Sequence, residues 1–296
     1  YDQKAGITEL ELNNKNTIIK LKNERVKKIG NYFLYHNKTL QEIILSNVEK
    51  IDNNFCMRAV NLNKIELPKA EYIGDAFLFF NLDLKKLVLH KVKDIESSFL
   101  SSNRELDEII LPNVEIIGYG FLEYNEKLKE ISFPNVREIG DNFLENNQNL
   151  IKIDLPNVIK VGDYFLNLNN SLKKVSLSKL EYIEHGFLQF NERLQILDIP
   201  SVKYIGNRVL EKNTNLRELN MPYVQYIGKN FLNQNKILET LNMPSIEYIR
   251  KGFLSNNKRF QDKTPQDFID NVRVNTCDQV NHRSDRTIKI SVKRYK

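Results

Sequence analysis

The sequence predicts an α+β repeat protein: a solenoid of eleven 22-residue coils, with a parallel sheet on its concave face and short helical turns elsewhere. Three observations predict it. A Phe-Leu pair recurs at a fixed interval, a proline closes a short apolar alternation in most copies, and an asparagine follows almost every pair.

The pair stands at Phe33-Leu34, Phe77-Leu78, Phe99-Leu100, Phe121-Leu122, Phe143-Leu144, Phe165-Leu166, Phe187-Leu188, Phe231-Leu232 and Phe253-Leu254. Phe55-Cys56 and Val209-Leu210 fill the two gaps, so every interval is 22 residues without insertion or deletion. Self-similarity at such a period is the mark of stacked repeats. Alignment gives F-L-x-x-N-x-x-L-x-x-I-x-L-P-x-V-x-x-I-G-x-x, with seven apolar places per coil.

Each place has a physical reason. The L-x-x-I-x-L stretch, such as Leu128, Ile131 and Phe133, ends in period-2 spacing and predicts a short strand. Proline follows it at Pro68, Pro112, Pro134, Pro156, Pro200, Pro222 and Pro244, where a residue without an N–H ends a ladder. The V-x-x-I stretch predicts a second extended piece. Gly74, Gly118, Gly140, Gly162, Gly206 and Gly228 then mark a corner, read as a site of positive φ. After the corner, Asn31, Asn53, Asp75, Asp141, Asp163 and Asn207 occupy the place of a helix N-cap. Phe and Leu then fill one helical turn. The asparagine column runs from Asn37 to Asn257 and fails only at Ala59. Two structural jobs suit it: a left-handed residue ending a helix, or an inward amide bonding the backbone of adjacent coils.

One such coil buries too little apolar surface to offset its ordering entropy, so coils must stack and share faces. A stack needs protected ends. Residues 1–32 read as an N-terminal cap and degenerate repeat, residues 33–260 as the array, and residues 261–296 as a C-terminal cap and basic tail. In the first, Leu10, Leu12, Ile18, Leu21, Val26, Ile29 and Gly30 survive without a Phe-Leu pair. In the last, Thr264-Pro265-Gln266-Asp267 predicts a helix start, with Phe268, Ile269 and Val272 covering the final coil. Ile288, Ile290 and Val292 alternate with Lys289, Ser291 and Lys293 as a strand would; residues 275–287 are polar and read as loose.

The pattern resembles the BspA-like, or Treponema-type, leucine-rich repeats over residues 33–260, about three quarters of the chain. Leu155-Pro156, Val158 to Val161-Gly162, Phe165 and Leu172 match that family's places one by one. Asn where the family often has Cys, and a unit slightly shorter than the common one, are departures. The resemblance implies a leucine-rich-repeat solenoid that binds a protein partner, as a bacterial adhesin or host-directed effector, and a secreted, cell-surface or host-delivered location.

A partner's place follows from strand geometry, since residues beside the inward positions point outward. One outward column contains Glu42, Lys64, Lys86, Glu108, Glu130, Lys152 and Lys174; its neighbour contains Ile44, Glu66, Val88, Ile110 and Asp154. These twelve are the candidate contact residues. Tyr72, Tyr182, Tyr204, Tyr226 and Tyr248 form another column, which reads first as packing between coils.

Catalytic chemistry has no support in the residues. His36, His90, His185 and His282 fall in different repeat places or the tail, and H-E-x-x-H, C-x-x-C, G-x-S-x-G and P-loop motifs are missing. Cys56 replaces a core Leu and reads as core; Cys277 reads as a free thiol of the tail. A net charge of +6 is mild for 296 residues, and the columns alternate in sign rather than forming a basic stripe, so nucleic acid is not an expected partner. The basic tail, Lys289, Lys293, Arg294 and Lys296, reads as solvated. No apolar run is long enough to cross a bilayer. The chain opens at Tyr1 without a basic, apolar leader, so any secretion signal is absent or already removed.

The expectation is a monomeric, non-enzymatic interaction protein with neither cofactor nor metal. Two rivals are the recognition arm of a larger ligase-type enzyme and a nucleic-acid binder.

Overall fold

The computed structural model describes residues 7–12, 18–257, 272–276 and 288–292, with side chains described between 18 and 257. It falls into two compact units, Tyr1–Leu155 and Pro156–Lys296, each a parallel-strand solenoid of 22-residue turns.

In the first unit, strands Ile18–Asn23, Glu42–Leu45, Lys64–Glu66, Lys86–Val88, Glu108–Ile110, Glu130–Ser132 and Lys152–Asp154 recur once per coil. Pairing is parallel and in repeat register, as in Glu42↔Lys64, Lys86↔Glu108 and Glu130↔Lys152. A second file of two-residue strands, Lys28–Ile29, Lys50–Ile51, Tyr72–Ile73, Asp94–Ile95, Ile116–Ile117 and Glu138–Ile139, comes from the V-x-x-I stretch. Ile7–Leu12 lies antiparallel on Ile18–Asn23 and closes that sheet edge. The strand in the degenerate first repeat is thus real, although its Phe-Leu pair is lost.

The second unit repeats the plan. Its strands are Lys174–Ser176, Ile196–Asp198, Glu218–Asn220 and Thr240–Asn242. Tyr182–Ile183, Tyr204–Ile205, Tyr226–Ile227 and Tyr248–Ile249 form the second file. Ile288–Val292, the alternating segment, pairs antiparallel with Tyr248–Ile249, and Val272–Thr276 pairs antiparallel with it. Residues 264–271 of the expected capping helix lie outside the described residues, as do residues 277–287 of the segment read as loose. Val272, placed at the helix end, begins a strand, and residues 275 and 276 continue it.

The core is a set of files. Phe33 to Phe143 stack ring on ring, as in Phe55–Phe77 at 5.3 Å and Phe77–Phe99 at 5.2 Å. The pair leucines from Leu78 to Leu232 and Cys56 are fully buried, as are most inward strand residues, while Leu34 is half-buried.

The short helical turns are not there: among the described residues no helix occurs. The Phe-Leu segment is instead a turn with every second residue left-handed, as at Ala76, Leu78 and Phe80 with φ of 51°, 52° and 60°. Three such residues recur in each coil from Tyr32 to Asn256, with glycine at only three places. Each non-glycine one costs about 1–2 kcal/mol locally. The offset is a third ladder between coils. The Ala76 and Phe80 N–H groups donate forward to Ser97 and Ser101 carbonyls at 2.8 and 2.9 Å, while Leu78 donates back to Phe55 at 3.0 Å. A helical turn would have kept these bonds to itself and left each neighbour unpaired.

Two further readings change for the same reason. The corner glycines do not have positive φ; the left-handed glycines are Gly120, Gly186 and Gly252. A Cβ on Gly140 would stand 2.8 Å from the Gly118 carbonyl carbon, so the corner needs glycine because coils approach closely there. The expected N-cap residues bond the next coil. Asn31, Asn53 and Asp75 Oδ1 each accept the N–H of the residue one coil on, all at 3.0 Å.

The asparagine column takes the second of its two jobs. Asn103 Nδ2 donates to Leu78 O of the preceding coil at 2.9 Å, and Asn125 Nδ2 to Leu100 O at 3.1 Å. Neither is left-handed, and both are fully buried.

Candidate interaction face

Along the three-residue strands the central residue is buried, or half-buried at Ile153, and its two neighbours face out, because pleating alternates side chains. All twelve candidate residues occupy these outward places: eleven in the first unit, and Lys174 in the second. In the first unit the backbone sets Glu42, Lys64, Lys86, Glu108, Glu130 and Lys152 in one column. Ile44, Glu66, Val88, Ile110 and Asp154 belong to the neighbouring one.

Most of these charges answer one another. Glu42 lies 2.5 Å from Lys64, Lys86 lies 2.8 Å from Glu108, and Lys152 lies 3.8 Å from Glu130. Lys64 also reaches Glu66 at 3.1 Å. The hydrogen bonds that Lys64 donates, to Glu42 first and Glu66 second, raise its ammonium pKa above the ordinary range. Asp154 accepts the Ser132 hydroxyl at 2.9 Å. Exposed pairs of this kind contribute little net stability, so they tune the face rather than hold it together. What they leave uncompensated is apolar: Ile44 and Val88 are half-buried, and Ile110 is exposed.

Lys20, absent from the sequence-based set, lies 3.6 Å from Glu42 and extends the first column by one coil. Its repeat had lost the Phe-Leu pair, so only the 22-residue spacing back from Glu42 could have revealed it.

In the second unit the face differs. Lys174 is exposed, and Ile196 is 53% exposed. Polar pairs fill the neighbouring column: Ser176 with Asp198 at 2.9 Å, and Asn220 with Asn242 at 2.8 Å. In the tyrosine column Tyr204, Tyr226 and Tyr248 stack at 4.7 and 5.3 Å, as packing predicts, while Tyr182 stands 57% exposed.

Chemistry suited to catalysis does not assemble among the described residues. No three of His, Cys, Asp and Glu could share a metal ion there. Cys56 is fully buried, and burial pushes its thiol pKa up, opposite to nucleophile activation. His185 Nδ1 accepts the Asn207 N–H at 3.0 Å, taking a place in the asparagine and aspartate ladder. Cys277 and His282 lie outside the described residues. No helix among the described residues is long and apolar enough to cross a membrane.

Parallel strands at a 22-residue beat, inward Leu and Ile, and a buried asparagine ladder define a leucine-rich repeat protein. The chain belongs to the BspA type leucine rich repeat region family, matched in six copies over residues 10–85, 93–216 and 137–261. Among solved structures it is similar to a leucine-rich repeat protein from Bacteroides ovatus, at 17% identity and a TM-score of 0.35, covering 87% of this chain and 94% of that one. It is also similar to the Arabidopsis receptor kinase HAESA, solved with the peptide hormone IDA and the co-receptor SERK1. That match has 17% identity and a TM-score of 0.33, over 78% of this chain and 46% of that one. A third similar structure is the plant peptide hormone receptor RGFR1 in complex with RGF2, at 12% identity and a TM-score of 0.33, over 82% of this chain and 49% of that one. No curated protein matches the sequence.

Proposed function

We propose that the protein is a non-enzymatic interaction scaffold and that the outward strand columns of its first unit contact a protein partner. The observation behind this reading is the pattern of compensation. The column's lysines and glutamates neutralise one another, which leaves Ile44, Val88 and Ile110 as apolar points in an ion-paired frame. Protein interfaces have this composition, an apolar centre with a polar rim. Nucleic acid would call for lysines free to meet phosphate. The setting we propose, from family membership, is a bacterial adhesin or a host-directed effector acting as a monomer.

The test is cross-linked capture from host-cell extract, comparing the unaltered chain with V88E/I110E. Loss of a captured protein with Val88→Glu and Ile110→Glu, but not with Ile196→Glu in the second unit, supports the first-unit face. Equal capture by all three chains removes it.

A further inference from the structure

The turn segments, which are not part of the strand face, also form columns. Their first left-handed residue is glycine in three coils: Gly120, Gly186 and Gly252. What stands over the glycine differs. A Cβ on Gly186 would lie 2.8 Å from Cε1 of Tyr164, whose ring fills that space from the preceding coil. Over Gly252 stands the Asn230 side chain. The residue preceding Gly120 by one coil is Ser98. There the nearest atoms to an added Cβ are Glu123 Cδ and Oε1 at 3.5 Å and Ser98 Oγ at 3.6 Å, ordinary contact distances. A carboxylate and a hydroxyl therefore converge over Gly120, where the equivalent glycine has a ring packed against it.

The surroundings are mixed donors, acceptors and aromatic surface. The Asn142 amide hydrogen-bonds Glu123 and donates to the Tyr119 hydroxyl at 3.2 Å. Tyr119 and Tyr124 are 48% and 47% exposed. The turn ladder also sets Phe80, Ser102 and Tyr124 in one column, through Phe80 N–H to Ser101 O and Ser102 N–H to Glu123 O. Steps of about 4.8 Å separate the two aromatic residues by about 9.6 Å across a serine. A six-membered ring in contact with a wall on each side needs about 7–8 Å.

We propose that the turn face around Gly120 is a subsite for a neutral, polyhydroxylated six-membered ring, the end of a glycan. Adjacent hydroxyls of the ring are shared between the Glu123 carboxyl and Ser98 Oγ, the Asn142 amide holds the carboxyl in place, and the C–H face lies against Tyr124. An organic cation would engage the carboxyl alone; a polyol engages carboxyl and hydroxyl together. Burial first pushes the Glu123 carboxyl toward its neutral form, the Asn142 bond opposes it next, and Glu145 adds a smaller push in the direction of burial. That bias favours hydroxyl partners over cations.

Saturation-transfer NMR on the whole chain with methyl α-glucoside, methyl β-galactoside, methyl α-mannoside and N-acetylglucosamine tests this, with titration calorimetry of any binder. At least one sugar should receive saturation. Ser98→Tyr, which copies the Tyr164 plug, should abolish it, and the conservative Glu123→Gln should weaken it about tenfold, the effect of about 1.4 kcal/mol. Tyr164→Ser should leave it unchanged. Saturation of no sugar, saturation that survives both Ser98→Tyr and Glu123→Gln, or binding of N-acetylarginine amide in place of the sugars overturns the proposal.

Discussion

Glu123, in residues 1–155, and Glu211, in residues 156–296, hold the same place in their coils, two residues after Phe121 and Val209. Glu211 is a rung. Its carboxylate accepts Gln189 Nε2 at 2.6 Å and Asn233 Nδ2 at 2.9 Å, and Arg208 stands 4.0 Å away. Glu123 has Ser101 and Glu145 in those flanking places, and no ion pair among the described residues. The backbone is the same; the neighbours 22 residues before and after are not. In a solenoid those neighbours, more than local sequence, decide whether a polar group is structural or free to meet a ligand. Gly120 and Gly186 teach the same lesson through Ser98 and Tyr164.

The largest expected difference between the units lies in the phenylalanine file. Phe121 stacks on Phe99 at 5.5 Å and Phe143 at 5.6 Å, whereas Phe187 stacks on Phe165 at 5.4 Å and faces Val209 on its other side. Phe121→Ala should cost about 3–5 kcal/mol. Phe187→Ala should cost less by about 1–3 kcal/mol, two aromatic partners, since Phe121 also meets Phe133 edge-on at 5.6 Å. Urea unfolding followed by circular dichroism checks both, and equal losses would mean that stacking adds nothing to burial.

The asparagine column gives the next contrast. Asn125 uses both ends of its amide: Nδ2 donates to Leu100 O, and Oδ1 accepts the Asn103 N–H at 2.9 Å. Asn213 Nδ2 donates to Leu188 O at 2.8 Å, but its buried Oδ1 has no partner among the described residues. Asn125→Ala therefore orphans a carbonyl and an N–H, about 2–4 kcal/mol. Asn213→Ala orphans one carbonyl while removing an unpaired oxygen, about 1–2 kcal/mol. Matching unfolding midpoints for the two variants would erase the distinction.

The period, both strand files and the core columns were legible because burial repeats as faithfully as sequence. The inward amide ladder was one of two readings the Asn column allowed. The turns were misread for a physical reason. Asp, Phe and Leu after a corner suit a helical turn locally, and only neighbouring coils make three left-handed residues per turn the better choice. The twelve strand-face candidates could be placed from spacing alone, but their mutual ion pairs could not. Side-chain reach between coils is not written in any one repeat. Nor was the Gly120 cradle visible, since it depends on Ser98 being small at a place where Tyr164 is large.

Glu211 offers a smaller and more pointed test. Gln189 is 3% exposed and donates to it, so Glu211→Ala strands a buried amide donor and removes a charge-assisted bond. The cost should be about 1.5–3 kcal/mol. A loss below about 0.5 kcal/mol in the same urea experiment would reduce Glu211 to an ordinary surface residue.

Glu123 should respond with the opposite sign, and only at higher pH. Burial raises its folded pKa above the unfolded value, with Glu145 adding and the Asn142 hydrogen bond opposing. A raised acid binds protons better folded than unfolded. Its stabilising contribution is complete below the unfolded pKa of about 4.3 and is lost as pH rises through the folded value. At neutral pH the carboxylate therefore weighs against folding, and Glu123→Gln should stabilise the chain, by no more than about 0.5 kcal/mol for a half-buried site at the surface. Thermal melts at pH 7 and at pH 3.5 separate the cases. The variant should melt above the unaltered chain at pH 7 and beside it at pH 3.5, because both then present an uncharged side chain over Gly120. A variant less stable at pH 7 would mean that the Asn142 bond to the carboxylate outweighs burial. Glu123 would then be a rung like Glu211, and the contrast between the two units would close.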